Sequence, residues 1–399
     1  MSDRKPRILL GVTISMSLGL MRELPEYLAD RGWDVHLVSS RGPEQESLRG
    51  LDSISVHSVT MARDPSLMSD LKSLWAWIRL LREVRPDLVS VGTPKAGLLG
   101  GIAAWLTRVP ARVYILRGLR LETVSGASRA VLAALERVSM AAVQAVLSVS
   151  PSLRSEAVAL RLASPDKIVV LGAGSSNGVN LGHFGPRRIS DAEVGEHRRA
   201  LGLDASIPVV GFVGRLTPDK GLRPFAEARR LLVERGIDHQ VLIVGQTEAT
   251  GEDELRHVRK SGRPPVETGA VSDTAPYYRL MDVLCLPTLR EGFPNVVLEA
   301  AASGIPAVTT NATGAIDSVI DGQTGLIAQA GSGESLADAL AAIITDAGSR
   351  TRMGIAARER VEREFDRRVV FDRIEAFYRS QLSAARREIP LPAESPTAT

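Results

Sequence analysis

Residues 8–39 read ILLGVTISMSLGLMRELPEYLADRGWDVHLVS, and this short stretch indicates the fold class. The apolar run at 8–11 predicts a strand, and a loop of small residues is predicted at 13–19. An amphipathic helix is predicted over 20–31, and the apolar run at 34–39 predicts the next strand. A strand, a helix and a second strand in this order are typical of a parallel sheet covered by helices.

The same alternation continues along the chain. Further strands of the first series are predicted at 88–91, 111–116, 145–149 and 167–171. The segment 172–185 is rich in Gly, Ser and Asn and has no periodicity, so it is predicted to link two domains. Beyond it, a helical pattern is predicted over 334–383. The strands of this second series are predicted at 208–213, 240–244, 266–268, 283–287, 307–310 and 326–328.

These patterns predict an α/β protein with two doubly wound, Rossmann-like domains that face each other across a cleft. The predicted bounds are 1–180 for the first domain and 181–383 for the second. The remaining tail, 384–399, contains three prolines and is predicted to be disordered. Because ligands of doubly wound folds bind beyond the carboxyl ends of the strands, the cleft is the predicted binding site.

Charge balance and cysteine content exclude several classes of protein. The 399 residues include 49 Lys and Arg against 46 Asp and Glu, an excess too small to indicate nucleic-acid binding. The single cysteine, Cys285, allows no disulfide within the chain and no Cys-based metal site. The N-terminus is polar, and no apolar run is long enough to span a bilayer, so we expect a soluble, cytoplasmic protein.

The strongest functional signal is EGFPNVVLE at 291–299, which follows a predicted strand and opens a predicted helix. The start of a helix presents unpaired N–H groups and a partial positive charge, which suit a phosphate group. Glu291 is expected to accept hydrogen bonds from sugar hydroxyls. Glu299 lies about two turns further along the helix, within an apolar stretch where an unpaired charge is costly. It is therefore expected to reach a second part of an elongated ligand, and a surface glutamate is the alternative.

A second signal is GRLTPDKG at 214–221, where a predicted strand runs into a glycine turn before a helix. Arg215 and Lys220 together have the charge to neutralise a diphosphate. Two surface cations in a loop are the alternative interpretation. The presence of the glutamate motif in the same half of the chain favours the diphosphate site.

Taken in order, these motifs and their neighbours resemble the C-terminal domain of glycosyltransferase family four, a large family of retaining GT-B enzymes. The resemblance covers 209–327, with matches at GRLTPDKG 214–221, GAV 269–271, DVLCLP 282–287, EGFP to EA 291–300, GIP 304–306 and DGQTG 321–325. It implies a GT-B fold and the transfer of a sugar from a nucleotide-sugar, expected to be a UDP-sugar. The implied acceptor is a glycan or a lipid-linked glycan.

The resemblance also implies roles for individual residues. Arg215 and Lys220 would bind the donor diphosphate and stabilise the departing nucleoside diphosphate. Glu291 would hold hydroxyls of the transferred sugar, and Glu299 would bind the donor ribose. The other residues expected to bind the donor are Gly19, Gly214, Val271, Gly292, Phe293, Pro294 and Asn295.

The N-terminal half resembles the family less closely. Gly19 is the only glycine at the position of the family's Gly-rich loop, and Asn180 replaces the acid of its Asn-Gly-Val-Asp motif. Arg117 stands where many members have His. Lys95 and Arg117 are expected on the acceptor or sugar side, since the segments around them resemble members that extend polysaccharides or lipid-linked glycans.

The resemblance implies retention of anomeric configuration, and we expect front-face transfer in which the leaving diphosphate helps to deprotonate the acceptor. No Asp-x-Asp occurs in the chain, so neither a metal nor another cofactor is expected. A nicotinamide-dependent oxidoreductase is disfavoured, because the first predicted loop lacks Gly-x-Gly-x-x-Gly. A GT-B nucleotide-sugar epimerase and a non-catalytic nucleotide-sugar-binding subunit are the open alternatives.

The predicted helix at 67–85 suggests contact with a membrane. Its apolar stripe contains Leu71, Leu74, Trp75, Ile78 and Leu81, and its basic residues lie elsewhere. Trp77 falls off this stripe and is expected to be exposed. Basic residues beside an exposed tryptophan suit an anionic membrane surface, so peripheral contact at the inner face of the membrane is a hypothesis. An ordinary packed helix with a solvated face is the alternative.

Overall fold

The computed structural model describes residues 4–21, 23–51, 53–61, 67–186 and 188–388. Within these ranges the chain forms two parallel β-sheets. The first sheet contains β1 (Arg7–Gly11), β2 (Asp34–Ser39), β3 (Ile54–Ser58), β4 (Leu88–Gly92), β5 (Ala111–Leu116), β6 (Ala145–Ser148) and β7 (Ile168–Val169). The second contains β8 (Val209–Val213), β9 (Gln240–Val244), β10 (Val266–Glu267), β11 (Val283–Cys285), β12 (Ala307–Thr310) and β13 (Gly325–Ala328).

The strand order makes both sheets doubly wound. The first runs β3-β2-β1-β4-β5-β6-β7, and the second runs β10-β9-β8-β11-β12-β13. In register, Leu10 of β1 lies between Leu37 of β2 and Ser90 of β4. The order reverses beside β1 in one sheet and beside β8 in the other, and a crevice forms at such a point. The predicted pair of doubly wound sheets is confirmed.

Helices cover both faces of the sheets, which explains why strands such as β8 are buried at every residue. The helices of the first half are α1 (Leu24–Asp30), α2 (Pro43–Leu48), α3 (Leu67–Val84), α4 (Pro94–Leu106), α5 (Gly126–Ala141) and α6 (Pro151–Ala159). Those of the second half are α7 (Asp191–Ala200), α8 (Leu222–Glu234), α9 (Glu252–Lys260), α10 (Ala275–Tyr278), α11 (Asn295–Ala302), α12 (Gly333–Thr345), α13 (Ala347–Glu364) and α14 (Arg367–Glu388).

The first half differs from the prediction at its edge strand and at its first loop, among other places. Strand β3 was not predicted, because it lies at the sheet edge and buries only Ile54 of its five residues. The predicted loop at 13–19 contains a 3₁₀ helix, Ser15–Leu20. Helix α1 then begins at Leu24 rather than at residue 20, with Pro25 in its first turn, a position that favours proline.

The last helix corrects the predicted assignment of the C-terminal helices to the second domain. Side chains of α14, including Phe371 and Ile374, pack among core residues of the first sheet. The Tyr378 hydroxyl lies 2.9 Å from the Ser90 hydroxyl of β4. The helix also continues to residue 388, so 384–388 are helical rather than disordered. Residues 389–399 lie outside the described residues, and the other domain bounds stay predictions.

Helix α3 shows that the predicted exposure of Trp77 was wrong. Trp77 is fully buried, whereas Trp75 is 67% exposed. The absence of a side chain at Gly11 and Gly100 makes room for the Trp77 ring, since a Cβ at Gly11 would lie 2.6 Å from it.

None of the helices in the described ranges combines the length and apolarity needed to cross a membrane.

Candidate active site

A cavity of about 280 Å³ lies where the two sheets face each other. In the second half it begins at the reversal of strand order, where β8 and β11 end. Its lining from that half comprises Val213, Gly214, Arg215, Lys220, Leu286, Glu291, Gly292, Phe293, Pro294, Asn295 and Val296. The lining from the first half comprises Leu20, Arg117, Val149, Ser176 and Asn177. The structure thus brings both sequence motifs to one cavity.

Lys220 and Glu291 form an ion pair in this cavity. Lys220 Nζ donates a hydrogen bond to Glu291 Oε1, and each side chain is only 16% exposed. The two residues are 71 positions apart in the chain and meet only because β8 and β11 are neighbours. A ligand in the cavity would meet a cation and an acid side by side. Partial shielding from water makes their electrostatic interactions stronger than those of surface charges.

Gly221 allows the loop that carries Lys220 to lie against the end of β11. Its φ of +74° is in the left-handed region, where glycine carries no Cβ penalty. A Cβ at this position would lie 1.8 Å from the carbonyl oxygen of Pro287. The glycine of the sequence motif therefore positions the lysine beside it.

Arg215 lies at the outer edge of the cavity. Its side chain is 57% exposed and pairs with Glu248, with 2.5 Å between Arg215 Nη1 and Glu248 Oε1. The exposed pair is weak, because water screens both charges. Rotation of Arg215 away from Glu248 would thus cost little when an anionic ligand offers a better partner.

The segment 291–295 brings backbone groups into the cavity and joins the two halves. Helix α11 begins at Asn295 and its first two residues line the cavity, so the unpaired N–H groups of its first turn lie at the cavity wall. A Cβ on Gly292 would lie 2.0 Å from the carbonyl oxygen of Arg117. Phe293 packs in the cores of both halves and lies 5.3 Å, between ring centroids, from Phe365. The cavity wall at this segment is thus fixed from both sides.

Three residues predicted to bind the donor lie outside the cavity lining. Glu299 is 5% exposed and accepts a hydrogen bond of 2.8 Å from the Tyr278 hydroxyl. Val271 packs half-buried against the core of the second half. Gly19 is not part of the lining, although the next residue, Leu20, is. Their roles towards a donor stay predictions.

Arg117 lines the cavity from the first half. Its Nη1 donates to the Ser176 hydroxyl, and its Nε is buried with no hydrogen-bond partner among the described residues. Burial lowers the pKa of Arg117 to about 10, so it stays charged near neutral pH.

Lys95, the other residue expected on the acceptor or sugar side, lies outside the lining and pairs with Asp70 of α3 at 2.8 Å.

The prediction from sequence missed several apolar residues of the lining, including Leu20, Val149 and Leu286. Such side chains resemble core residues in the sequence. Only their positions in the fold bring them to a cavity: Val149 and Leu286 follow strands β6 and β11, and Leu20 ends the 3₁₀ helix. Ser176 and Asn177 were also missed. Asn177 opens the segment 177–180, whose resemblance to a family motif was the available signal.

No group of three or more His, Cys, Asp or Glu side chains is placed to hold a metal ion in the described part of the chain.

Comparison with known protein families gives two matches. Residues 20–174 match the model of the glycosyl transferase 4-like domain, and 207–346 match that of the glycosyl transferases group 1. One curated relative is the capsular polysaccharide biosynthesis glycosyltransferase CapM of Staphylococcus aureus, 38% identical over 93% of this chain and 96% of its own length. Another is the UDP-Gal:alpha-D-GlcNAc-diphosphoundecaprenol alpha-1,3-galactosyltransferase of Escherichia coli, 30% identical over 72% of this chain and 74% of its own length.

Solved structures share the fold over nearly the whole chain. A glycosyltransferase of Rickettsia africae superposes with a TM-score of 0.79 at 18% identity, covering 95% of this chain and 99% of its own. HepE of Anabaena, solved with UDP and glucose, superposes with a TM-score of 0.77 at 19% identity, covering 94% and 100%. The predicted GT-B architecture is therefore confirmed. The chain belongs to glycosyltransferase family four and is a glycosyltransferase of the GT-B type.

Proposed function

We propose that the chain transfers a sugar from a UDP-sugar to a glycan or lipid-linked acceptor, with retention of anomeric configuration and without a metal ion. The observation that carries this proposal is the Lys220–Glu291 pair in the cavity at the ends of β8 and β11. Two relatives support the choice of ligands by their names. CapM acts in capsular polysaccharide biosynthesis, and the E. coli relative uses UDP-Gal and a diphosphoundecaprenol acceptor.

In the proposed reaction, the donor diphosphate lies against Lys220 and the first N–H groups of α11. Arg215 leaves Glu248 and adds a second cation as negative charge develops on the leaving group. In reactions of this kind, the largest contribution to the rate comes from cations and hydrogen-bond donors that are already in place to stabilise the developing charge. Binding of the diphosphate also releases Glu291 from Lys220, and its carboxylate then accepts hydrogen bonds from hydroxyls of the transferred sugar.

The acceptor hydroxyl approaches the anomeric carbon on the face from which the diphosphate leaves. The new bond from the acceptor oxygen to this carbon forms as the bond to the diphosphate oxygen breaks. A diphosphate oxygen takes the proton of the acceptor hydroxyl, so no carboxylate base is needed. The residues that line the cavity from the first half form its first wall. This wall, which includes Arg117, orients the acceptor or an anionic group that the acceptor carries. The proposed location is the cytoplasm, at the face of the membrane where a lipid-linked acceptor is met.

A thermal-shift panel of UDP-, GDP- and ADP-sugars tests the donor, followed by mass spectrometry of products with and without an acceptor. We expect stabilisation by a UDP-sugar alone among the three classes, undiminished after chelation of divalent ions. Conversion of the donor sugar into its epimer without an acceptor would favour the epimerase instead. A larger shift with a GDP- or ADP-sugar would refute the proposed nucleotide, and an inverted product would refute retention.

A further inference from the structure

Helix α4 has an apolar surface where a surface helix usually carries polar residues. Its outward positions are Leu98, Ile102 and Trp105, spaced by four and three residues, and Trp105 is 58% exposed. Lys95 is the only charged residue of α4, and its ammonium pairs with Asp70. A helix that is apolar on all sides is normally buried in a core or in lipid.

The two helices that flank α4 extend this apolar surface. Helices α3 and α5 pack on either side of α4, in the layer that covers one face of the first sheet. Leu67 and Trp75 of α3 are 87% and 67% exposed. We define the α3–α5 surface by the exposed apolar side chains of the three helices: Leu67, Met68, Leu71, Trp75, Trp105, Leu106, Val131, Leu135 and Val138. Nine exposed apolar side chains on three adjacent helices are typical of an interaction site.

Exposed charges on the same three helices are almost all positive. The helices contain six basic residues and three acidic ones, an excess equal to the net charge of +3 of the whole chain. Asp70 is paired with Lys95, and Glu136 is buried, so Glu83 is the one acidic residue left exposed. The exposed basic residues are Lys72, Arg79, Arg82, Arg129 and Arg137.

We propose that the α3–α5 surface docks on an anionic lipid bilayer. Tryptophan, leucine and valine side chains would enter the boundary between headgroups and acyl chains, and the basic residues would lie against anionic headgroups. A second copy of the chain fits less well. A two-fold contact would bring this face against itself and so place five exposed cations opposite five others.

Docking through this surface would also orient the cleft. In a doubly wound domain the helices run antiparallel to the strands, so the N-terminal ends of α3 and α4 lie at the edge of the sheet that faces the cavity. Leu67 and Met68, at the start of α3, are therefore on the cavity side of the surface. An acceptor anchored in the same bilayer would then reach the first wall of the cavity. This consequence rests on the proposed function, whereas the docking itself does not.

Co-sedimentation of the full chain with vesicles tests the proposal. We expect binding to vesicles of phosphatidylcholine mixed with phosphatidylglycerol, and much weaker binding to phosphatidylcholine alone. Salt should weaken the binding, because it screens the basic residues. Absence of binding to the anionic vesicles would overturn the proposal.

Paired substitutions locate the surface. Trp75→Gln with Trp105→Gln should lower vesicle binding at least tenfold, while Val233→Gln with Ile355→Gln, two exposed apolar residues of the second half, should leave it unchanged. Lys72→Gln with Arg79→Gln should lower binding roughly 30-fold, against no change for the exposed pair Lys260→Gln with Arg352→Gln. Equal binding by all four variants would refute this surface.

Two further measurements distinguish a bilayer from a second copy of the chain, and the docking surface from the proposed function. Analytical ultracentrifugation of the wild type and the tryptophan variant, both without lipid, would reveal a dimer that the substitutions dissolve, which would favour a second copy over a bilayer. The thermal shift with nucleotide-sugars should be the same in all variants, because none of the changed residues lines the cavity. A chain that binds anionic vesicles but no nucleotide-sugar would refute the proposed function and leave the docking surface intact.

Discussion

The two walls of the cleft differ in chemistry. The wall from the second half carries Lys220, Glu291 and Arg215, together with the start of α11. The wall from the first half is formed largely by apolar and small polar side chains, and among the described residues Arg117 is the one charged residue that lines it. The second wall has what a diphosphate and a sugar require, whereas the first offers one cation, Arg117, among apolar and small polar side chains.

This difference suggests how a GT-B enzyme divides recognition. The charged wall is built from loops whose geometry depends on glycine, as at Gly221, and it would serve any donor of the same class. The other wall includes Leu20, which is partly exposed at the end of the 3₁₀ helix Ser15–Leu20 and outside the sheet. We interpret the first wall as the part that varies with the acceptor.

The largest effect is expected from the charged wall. Lys220→Ala and Glu291→Gln should each lower kcat by on the order of 10³-fold, because each removes a charged group from the site where charge develops. Steady-state kinetics would measure the loss, with circular dichroism to show that the fold persists. The exposed ion pair of α8 provides the control, since Arg230→Ala and Glu234→Gln should keep normal activity. Near-normal turnover in both cavity variants would refute the assignment of the charged wall.

The second largest effect is expected where the two walls touch, at Gly292 and Arg117. Gly292→Ala would place a Cβ 2.0 Å from the Arg117 carbonyl oxygen, so the walls must separate. A displacement of about 1 Å costs roughly 100-fold in rate, and kcat should fall accordingly with little change in donor binding. In the control Gly195→Ala, on α7, the added Cβ meets no atom within 4 Å. This control should keep full activity and gain up to about 1 kcal/mol of stability. Equal rates in the two variants would contradict a fixed contact.

In the first half, a buried acid makes stability depend on pH. Glu136 of α5 accepts a hydrogen bond of 3.1 Å from the Tyr114 hydroxyl, and burial raises the pKa of Glu136 from 4.5 to about 7. Between these values the folded state binds more protons than the unfolded state, so the free energy of unfolding falls as pH rises. Glu136→Gln should remove a penalty of about 3 kcal/mol at pH 8.

Urea unfolding of wild type and Glu136→Gln at pH 5 and pH 8 would measure this effect. The two proteins should be closer in stability at pH 5 than at pH 8, with the variant the more stable at pH 8. The exposed Glu196→Gln should show no such difference. If the stability of the wild type relative to that of the variant rose between pH 5 and pH 8, the predicted direction of the pH dependence would be wrong.

The smallest expected effect concerns Arg117, the cation that the described residues contribute to the first wall. Arg117→Gln should lower kcat/KM for the acceptor about tenfold, which corresponds to the loss of one charge-assisted hydrogen bond. Donor affinity, measured by isothermal titration, should hardly change. Arg120→Gln, at an exposed position three residues later, serves as the matched control. A change confined to donor affinity would move Arg117 to the donor side and remove the contrast between the walls.

Local patterns were enough to predict most strands and the charged half of the site. Apolar runs between glycines indicated the two sheets, and the spacing of Lys220 and Glu291 within their motifs indicated one binding site. Both predictions depend on short-range chemistry: a strand buried on both faces must be apolar, and a helix start has unpaired N–H groups. The edge strand β3 was missed because it has little burial to leave a pattern.

Other features were decided by contacts between distant parts of the chain. The burial of Trp77 depends on the small residues Gly11 and Gly100 beneath it, and α14 covers the first sheet although it follows the second. Glu299 shares a motif with Glu291 yet lies beneath Tyr278 instead of lining the cavity. Hydrophobic periodicity indicates that a face is buried but not which surface buries it. The sequence alone therefore determined the class of fold and the charged residues of the two motifs, and only tertiary packing decided which side chains reach the cavity.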